Sequence, residues 1–133
     1  MDKKIRILLA KAGCDIHERG ALTMLNVFRD AGMEVIYTGR YQSEKAIASA
    51  AISEDVDFIC VSDQTGSLPI IFTGIISELK EQNAADMYLM AGGLISESDK
   101  DELEAMGVVG NFGPGTDPQE SVKLIQKMMG AQS

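Results

Sequence analysis

The sequence predicts an α/β fold, a doubly wound parallel sheet of five strands with helices on both faces. Three observations predict it. Short apolar runs alternate five times with longer stretches of helical periodicity. The runs are continuously apolar rather than apolar at every second residue, as strands buried on both faces are. Glycines and small hydroxyl residues gather after each run, where a strand gives way to a loop and then a helix. No composition break, linker or low-complexity segment interrupts the series, so residues 1–133 read as one domain.

The first strand is predicted over residues 5–10, with Arg6 its one polar interruption, and residues 11–18 form the loop after it. A helix over 19–31 follows, with Leu22, Leu25, Val27 and Phe28 on or near one face and Gly32 placed to end it. The second strand spans 33–37 and closes on Thr38 and Gly39. Ser43 is the N-cap of a helix over 44–54 that carries Ala46, Ile47, Ala50 and Ala51 at helical spacing. Asp57 leads into a third strand over 58–61, and a polar loop of small residues occupies 62–67. Pro69 suits the first turn of a third helix that runs to about residue 82. The fourth strand covers 87–91 and is closed by Gly92 and Gly93. Ser96 caps a fourth helix through Met106, with Glu97, Asp99 and Asp101 at its positive end. A short fifth strand over 108–112 leads to Gly113, Pro114, Gly115 and Thr116, and Asp117 with Pro118 opens a last helix ending near Met129. The tail from Gly130 is expected to fray. Five such units take the flavodoxin-like order 2-1-3-4-5 with right-handed crossovers, which sets the loops after strands 1 and 3 side by side. Open α/β sheets place their ligands at that switch point.

Bulk properties exclude several classes of function. A chain of 133 residues buries roughly two thirds of its unfolded surface and needs no staples. The net charge of -8 argues against non-specific binding to nucleic acid or to an anionic membrane, since both reward positive surface. No apolar run is long enough to cross a bilayer, and the first residues show no signal-peptide pattern. Two cysteines, Cys14 and Cys60, are too few for a disulfide scaffold, so reduced thiols in a cytoplasmic protein are expected. Cys14 lies in the first loop, where a reactive thiol is the lesser reading.

The chemistry concentrates in the loop after the first strand, 11–20, which holds the protein's single histidine, His17. Asp15, two residues earlier, can orient the ring and make its free nitrogen a better metal donor. A lone surface histidine in a polar turn is the plain alternative. The glycines after every strand line one sheet edge with backbone that a ligand can approach, although any one of them could simply make a tight turn. No GxGxxG, P-loop, HExxH or nucleophile-elbow pattern is present, and one histidine rules out multi-histidine metal sites. A single imidazole can still ligate a metal when a macrocyclic cofactor supplies the remaining ligands.

Asp15-x-His17-x-x-Gly20, Ser62 after the third strand and Gly92-Gly93 after the fourth resemble the cobalamin-binding signature DxHxxG…SxL…GG. The resemblance is closest to the B12-binding domain of the methylmalonyl-CoA mutase family. Leu8-Leu9-Ala10-Lys11-x-Gly13, the run 30–39, the run 54–57 and Phe112-Gly113-Pro114-Gly115-Thr116 support it, so that it extends from about residue 5 to 128. The resemblance implies that cobalamin binds with its own dimethylbenzimidazole displaced. His17 would be the lower axial ligand of cobalt, Asp15 would accept from its other ring nitrogen, and Lys11 would pair with Asp15. The displaced nucleotide tail would run between strands 1 and 3 past Glu18, Arg19 and Gly20, into a pocket lined by Ser62, Gln64, Gly66, Gly92 and Gly93 and bordered by Gly115 and Thr116. A Cβ at Gly20 would crowd that tail. One departure stands out: Gln64 occupies the leucine position of SxL and puts a polar side chain near the tail.

The resemblance further implies an adenosylcobalamin-dependent acyl-CoA mutase, in which cobalt–carbon homolysis starts a carbon-skeleton rearrangement. Its substrate site would belong to a large TIM-barrel subunit, in a heterotetramer, facing the sheet's C-terminal edge. Alternatives of the same fold are the small subunit of glutamate mutase and a corrinoid protein for methyl transfer, which usually carries a helical cap before this domain. A receiver-like signalling module is the non-enzymatic alternative, with Asp15 and Asp63 as its acidic pocket. A receiver also wants a lysine after strand 5, where this chain has Asn111 and Gly113.

Overall fold

The computed structural model describes residues 4–11, 19–38, 43–63, 65–93, 95–110 and 117–130, with the backbone alone described at 19–21. Among the described residues ten elements alternate: β1 (Arg6–Lys11), α1 (Arg19–Asp30), β2 (Glu34–Tyr37), α2 (Glu44–Glu54), β3 (Phe58–Asp63), α3 (Leu68–Glu81), β4 (Tyr88–Gly93), α4 (Glu97–Ala105), β5 (Val108–Val109) and α5 (Pro118–Gly130). The strands pair in the order β2-β1-β3-β4-β5, all parallel. This is the flavodoxin-like order expected from the alternation of elements.

Side chains leave each strand on alternate faces, so the sheet builds two cores. Leu8 and Ala10, Ile59 and Val61, and Leu89 and Ala91 pack with Ile47, Ala51, Leu68, Phe72, Ile75 and Leu103 from α2, α3 and α4. Ile7 and Leu9, Phe58 and Cys60, and Met90 pack on the opposite face with Met24 and Phe28 of α1 and Val122 and Ile125 of α5. The helix starts are fixed by local chemistry. Ser43 Oγ accepts from the Ala46 N–H at 3.1 Å, and Ser96 Oγ accepts from the Asp99 N–H at 3.2 Å. Asp117 Oδ1 accepts from the Gln119 N–H at 2.9 Å, with Pro118 opening α5. Gly32, at φ +85°, ends α1 with its N–H donated to the Arg29 carbonyl.

The structure corrects several expectations. Leu22 does not share the buried face of α1; it is 42% exposed, and Met24 takes that place with Phe28 four residues on. Two residues along a helix turn a side chain about 200° away, so Leu22 and Met24 cannot both face the sheet. On α2, Ala46 is exposed and Ala48 is buried beside Ile47 and Ala51. The strands also outrun their apolar segments: β1 includes Lys11, β3 includes Ser62 and Asp63, and β4 includes Gly92 and Gly93. Ladder pairing needs only backbone groups, and it continues after the side chains turn polar. At the other end of the sheet, β5 is two residues long, and residues 111 and 112 of the longer strand expected there lie outside the described residues.

Candidate functional site

The extension of the three central strands builds the site. Lys11, Ser62 and Gly92 stand in one register row across β1, β3 and β4. Each follows by two residues a side chain of the α1/α5 core, namely Leu9, Cys60 and Met90, so all three positions lie on the face covered by α1 and α5. Lys11 is fully buried and Ser62 nearly so. Gly92 is buried and contributes no side chain to the row. Above it, Arg19 and Gly20 begin α1, so the backbone of that helix starts at the same sheet edge. α5 covers the same face through Val122 and Ile125, and in its first turn Ser121 is buried with a hydroxyl that has no hydrogen-bond partner.

The next register row, Asp63 and Gly93, belongs to the opposite face and shapes the rim. Asp63 is fully buried. Its Oδ1 accepts from the Thr65 N–H at 3.2 Å and the Thr65 hydroxyl at 2.7 Å, and its Oδ2 accepts from the Ser67 N–H at 2.8 Å. One carboxylate thus holds the turn between β3 and α3, at the positive end of α3. Gly66 sits in that turn at φ +83°. Gly93, at φ +108°, lies so close to β3 that a Cβ there would fall 2.8 Å from the Asp63 carbonyl carbon and 3.0 Å from its nitrogen. Close approach of two backbones, rather than room for a ligand, explains this glycine.

Beneath the row, Cys60 is a buried free thiol. Burial pushes its pKa up, because the thiolate would lose its hydration. It is therefore protonated at neutral pH and unreactive, a packing residue. Cys14 lies outside the described residues.

Of the residues singled out in the sequence, the structure brings Lys11, Ser62 and Gly92 together in one row. Gly93 and Gly66 belong to the adjoining rim, where they serve backbone geometry. Asp15, His17, Glu18, Gln64, Gly115 and Thr116 lie outside the described residues. Among the described residues, no group of three or more His, Cys, Asp or Glu side chains is placed to hold a metal ion. Sequence reasoning considered Asp63 only as a receiver-type acid and missed its structural part. The signal was present in Asp63-x-Thr65-x-Ser67, since Asp side chains commonly bond the backbone two residues on. Ser121 carried no signal, because a serine in a first helical turn ordinarily faces water.

The chain matches the B12 binding domain family over residues 5–123. It is 36% identical over 128 residues to the 2-hydroxyisobutanoyl-CoA mutase small subunit of Aquincola tertiaricarbonis, covering 96% of this chain and 94% of that one. It is 33% identical over 123 residues to the pivalyl-CoA mutase small subunit of Xanthobacter autotrophicus, covering 92% of this chain and 82% of that one. Among solved structures, a cobalamin-binding protein from Desulfitobacterium hafniense superposes with a TM-score of 0.78 at 19% identity, over 94% of this chain and 59% of that one. At that identity the likeness is one of fold.

Proposed function

We propose, on the premise that the chain belongs to the B12-binding domain family, that it is the cobalamin-binding small subunit of an adenosylcobalamin-dependent acyl-CoA mutase. Mutases of this kind are isomerases, and the substrate is bound on another subunit. The observation that carries the reading is the end-to-end match with a mutase small subunit, 94% of whose length this chain covers. The described residues fit the cofactor. Ser62 and Gly92 pair in register on the α1/α5 face, and the orphaned Ser121 hydroxyl of α5 needs a polar partner. When bound, adenosylcobalamin supplies the radical chemistry of a carbon-skeleton rearrangement.

This chain's own residues would hold and tune the metal. His17 would hold the cobalt through one ring nitrogen, and Asp15 would accept a hydrogen bond from the other, fixing the tautomer. Lys11 supports this pair. It ends β1 fully buried, where an ammonium calls for a carboxylate, and Asp15 follows four residues later. Glu18, Arg19, Gly20, Ser62 and Gly92 would hold the nucleotide tail, with Gln64, Gly66, Gly93, Gly115 and Thr116 bordering it.

The partner is a mutase subunit. We assign it a TIM barrel, docked on the sheet's C-terminal edge in a heterotetramer in the cytoplasm. The exposed apolar side chains fit such docking, because Leu22 and Ile70 stand in the first turns of α1 and α3, at that same edge. No helix among the described residues is long and apolar enough to cross a membrane. The receiver-like alternative is disfavoured, since Asp63 is fully buried and holds the turn before α3 through Thr65 and Ser67. The likeness to two acyl-CoA mutase small subunits favours that reading over glutamate mutase or a methyl-transfer corrinoid protein.

The test is spectroscopic. The purified chain mixed with cobalamin is expected to show the base-off, histidine-ligated spectrum. His17→Ala is expected to abolish that form while leaving the far-UV circular dichroism unchanged. A wild-type spectrum in which benzimidazole stays on cobalt would refute the assignment. Co-purification then identifies the large subunit, whose barrel names the acyl-CoA.

A further inference from the structure

Ser121 is 1% exposed, and its Oγ is the one buried side-chain oxygen or nitrogen among the described residues without a hydrogen-bond partner. Native interiors rarely leave such a group unsatisfied. A helical serine commonly relieves itself on the carbonyl four residues back, and Ser121 does not. Its position says what it waits for. α5 returns antiparallel to the strands, so its first turn overlies the C-terminal edge of the sheet. Ile125 packs in the same core as Cys60 and Met90. Ser121 is one helical turn, about 5.4 Å, nearer the edge. Lys11, Ser62 and Gly92 form the next row in that direction.

We infer that the Ser121 hydroxyl is a hydrogen-bonding residue for the buried nucleotide tail of the cofactor, an inference that rests on the cobalamin reading above. The tail carries ring nitrogens, ribose hydroxyls and phosphate oxygens, each able to accept from a hydroxyl. In the ligand-free chain the hydroxyl is a cost. In the loaded chain it becomes a contact, so the site is stored in α5 as an unmet donor. The tail is thereby held by a helix outside the loops that carry the signature.

The experiment measures binding of cobalamin and of cobinamide, which lacks the nucleotide tail, to the full chain and to Ser121→Ala. The substitution is expected to weaken cobalamin roughly three- to tenfold, the size of one net hydrogen bond. Cobinamide affinity should not change, and the melting temperature of the ligand-free variant should be equal or higher. Ser121→Cys, close in volume with a weaker donor, should fall between the two. Equal cobalamin affinity in wild type and Ser121→Ala would overturn the inference. So would parallel losses for both ligands with a lowered ligand-free melting temperature, which mark a purely structural serine. Wild type binding neither ligand would instead refute the cobalamin reading, and this contact with it.

Discussion

Replacing Gly93 with alanine probes the contact that sets the rim of the site. At φ +108° an L-residue is strained, by about 1–3 kcal/mol. The added methyl would also meet Asp63 backbone, 2.8 Å from the carbonyl carbon and 3.0 Å from the nitrogen, well inside the 3.4 Å at which ordinary contact begins. These are backbone atoms of a central strand and cannot swing aside like the end of a long side chain. β3 and β4 must part at Asp63↔Gly93, which adds roughly 1–3 kcal/mol of overpacking. The sum, about 2–6 kcal/mol, is a large share of the ~5–15 kcal/mol that holds a domain together. Urea unfolding followed by circular dichroism reads it directly. Gly66→Ala is the control, because Gly66 has a similar φ of +83° but nothing within 4 Å of a built Cβ, so only the strain remains. If Gly93→Ala costs no more than Gly66→Ala, the close approach of the two strands is not what demands a glycine.

Two further substitutions test the framework around the row. Asp63→Ala removes the acceptor of three hydrogen bonds, and with partial rescue of the freed donors by water it should cost about 2–4 kcal/mol in urea unfolding. Faster hydrogen exchange at the Thr65 and Ser67 amides should accompany that loss, and unchanged exchange would contradict the turn-holding role. For Cys60, burial keeps the folded thiol protonated while the unfolded thiol ionises near its ordinary value of 9.0. Its contribution is therefore complete below that pH and is lost as pH rises, by up to about 1.4 kcal/mol per unit. Wild type should lose more stability than Cys60→Ala between pH 8 and pH 10, and equal losses would remove the thiol from the account.

What the sequence determined by itself was periodic and local. Continuous apolar runs such as 58–61 require strands covered on both faces, and the repeated return to helical spacing leaves a parallel sheet as the arrangement that buries them. Ser43 and Ser96 mark helix starts because a cap is a bond within four residues, visible without the fold. The signature around Asp15 and His17 was legible as residue types at fixed spacing, and the family match extends over the whole of it. Tertiary structure decided which face of a helix is inside and where a ladder stops. Leu22 and Met24 are equally apolar, and only the position of the sheet chooses Met24. Lys11, Ser62 and Gly92 are polar or bare and far apart in sequence, yet parallel register brings them into one row. The burial of Ser121 with an unpartnered hydroxyl was decided in the same way. Burial and an unmet hydrogen bond are relations between distant segments, and one segment read alone does not contain them.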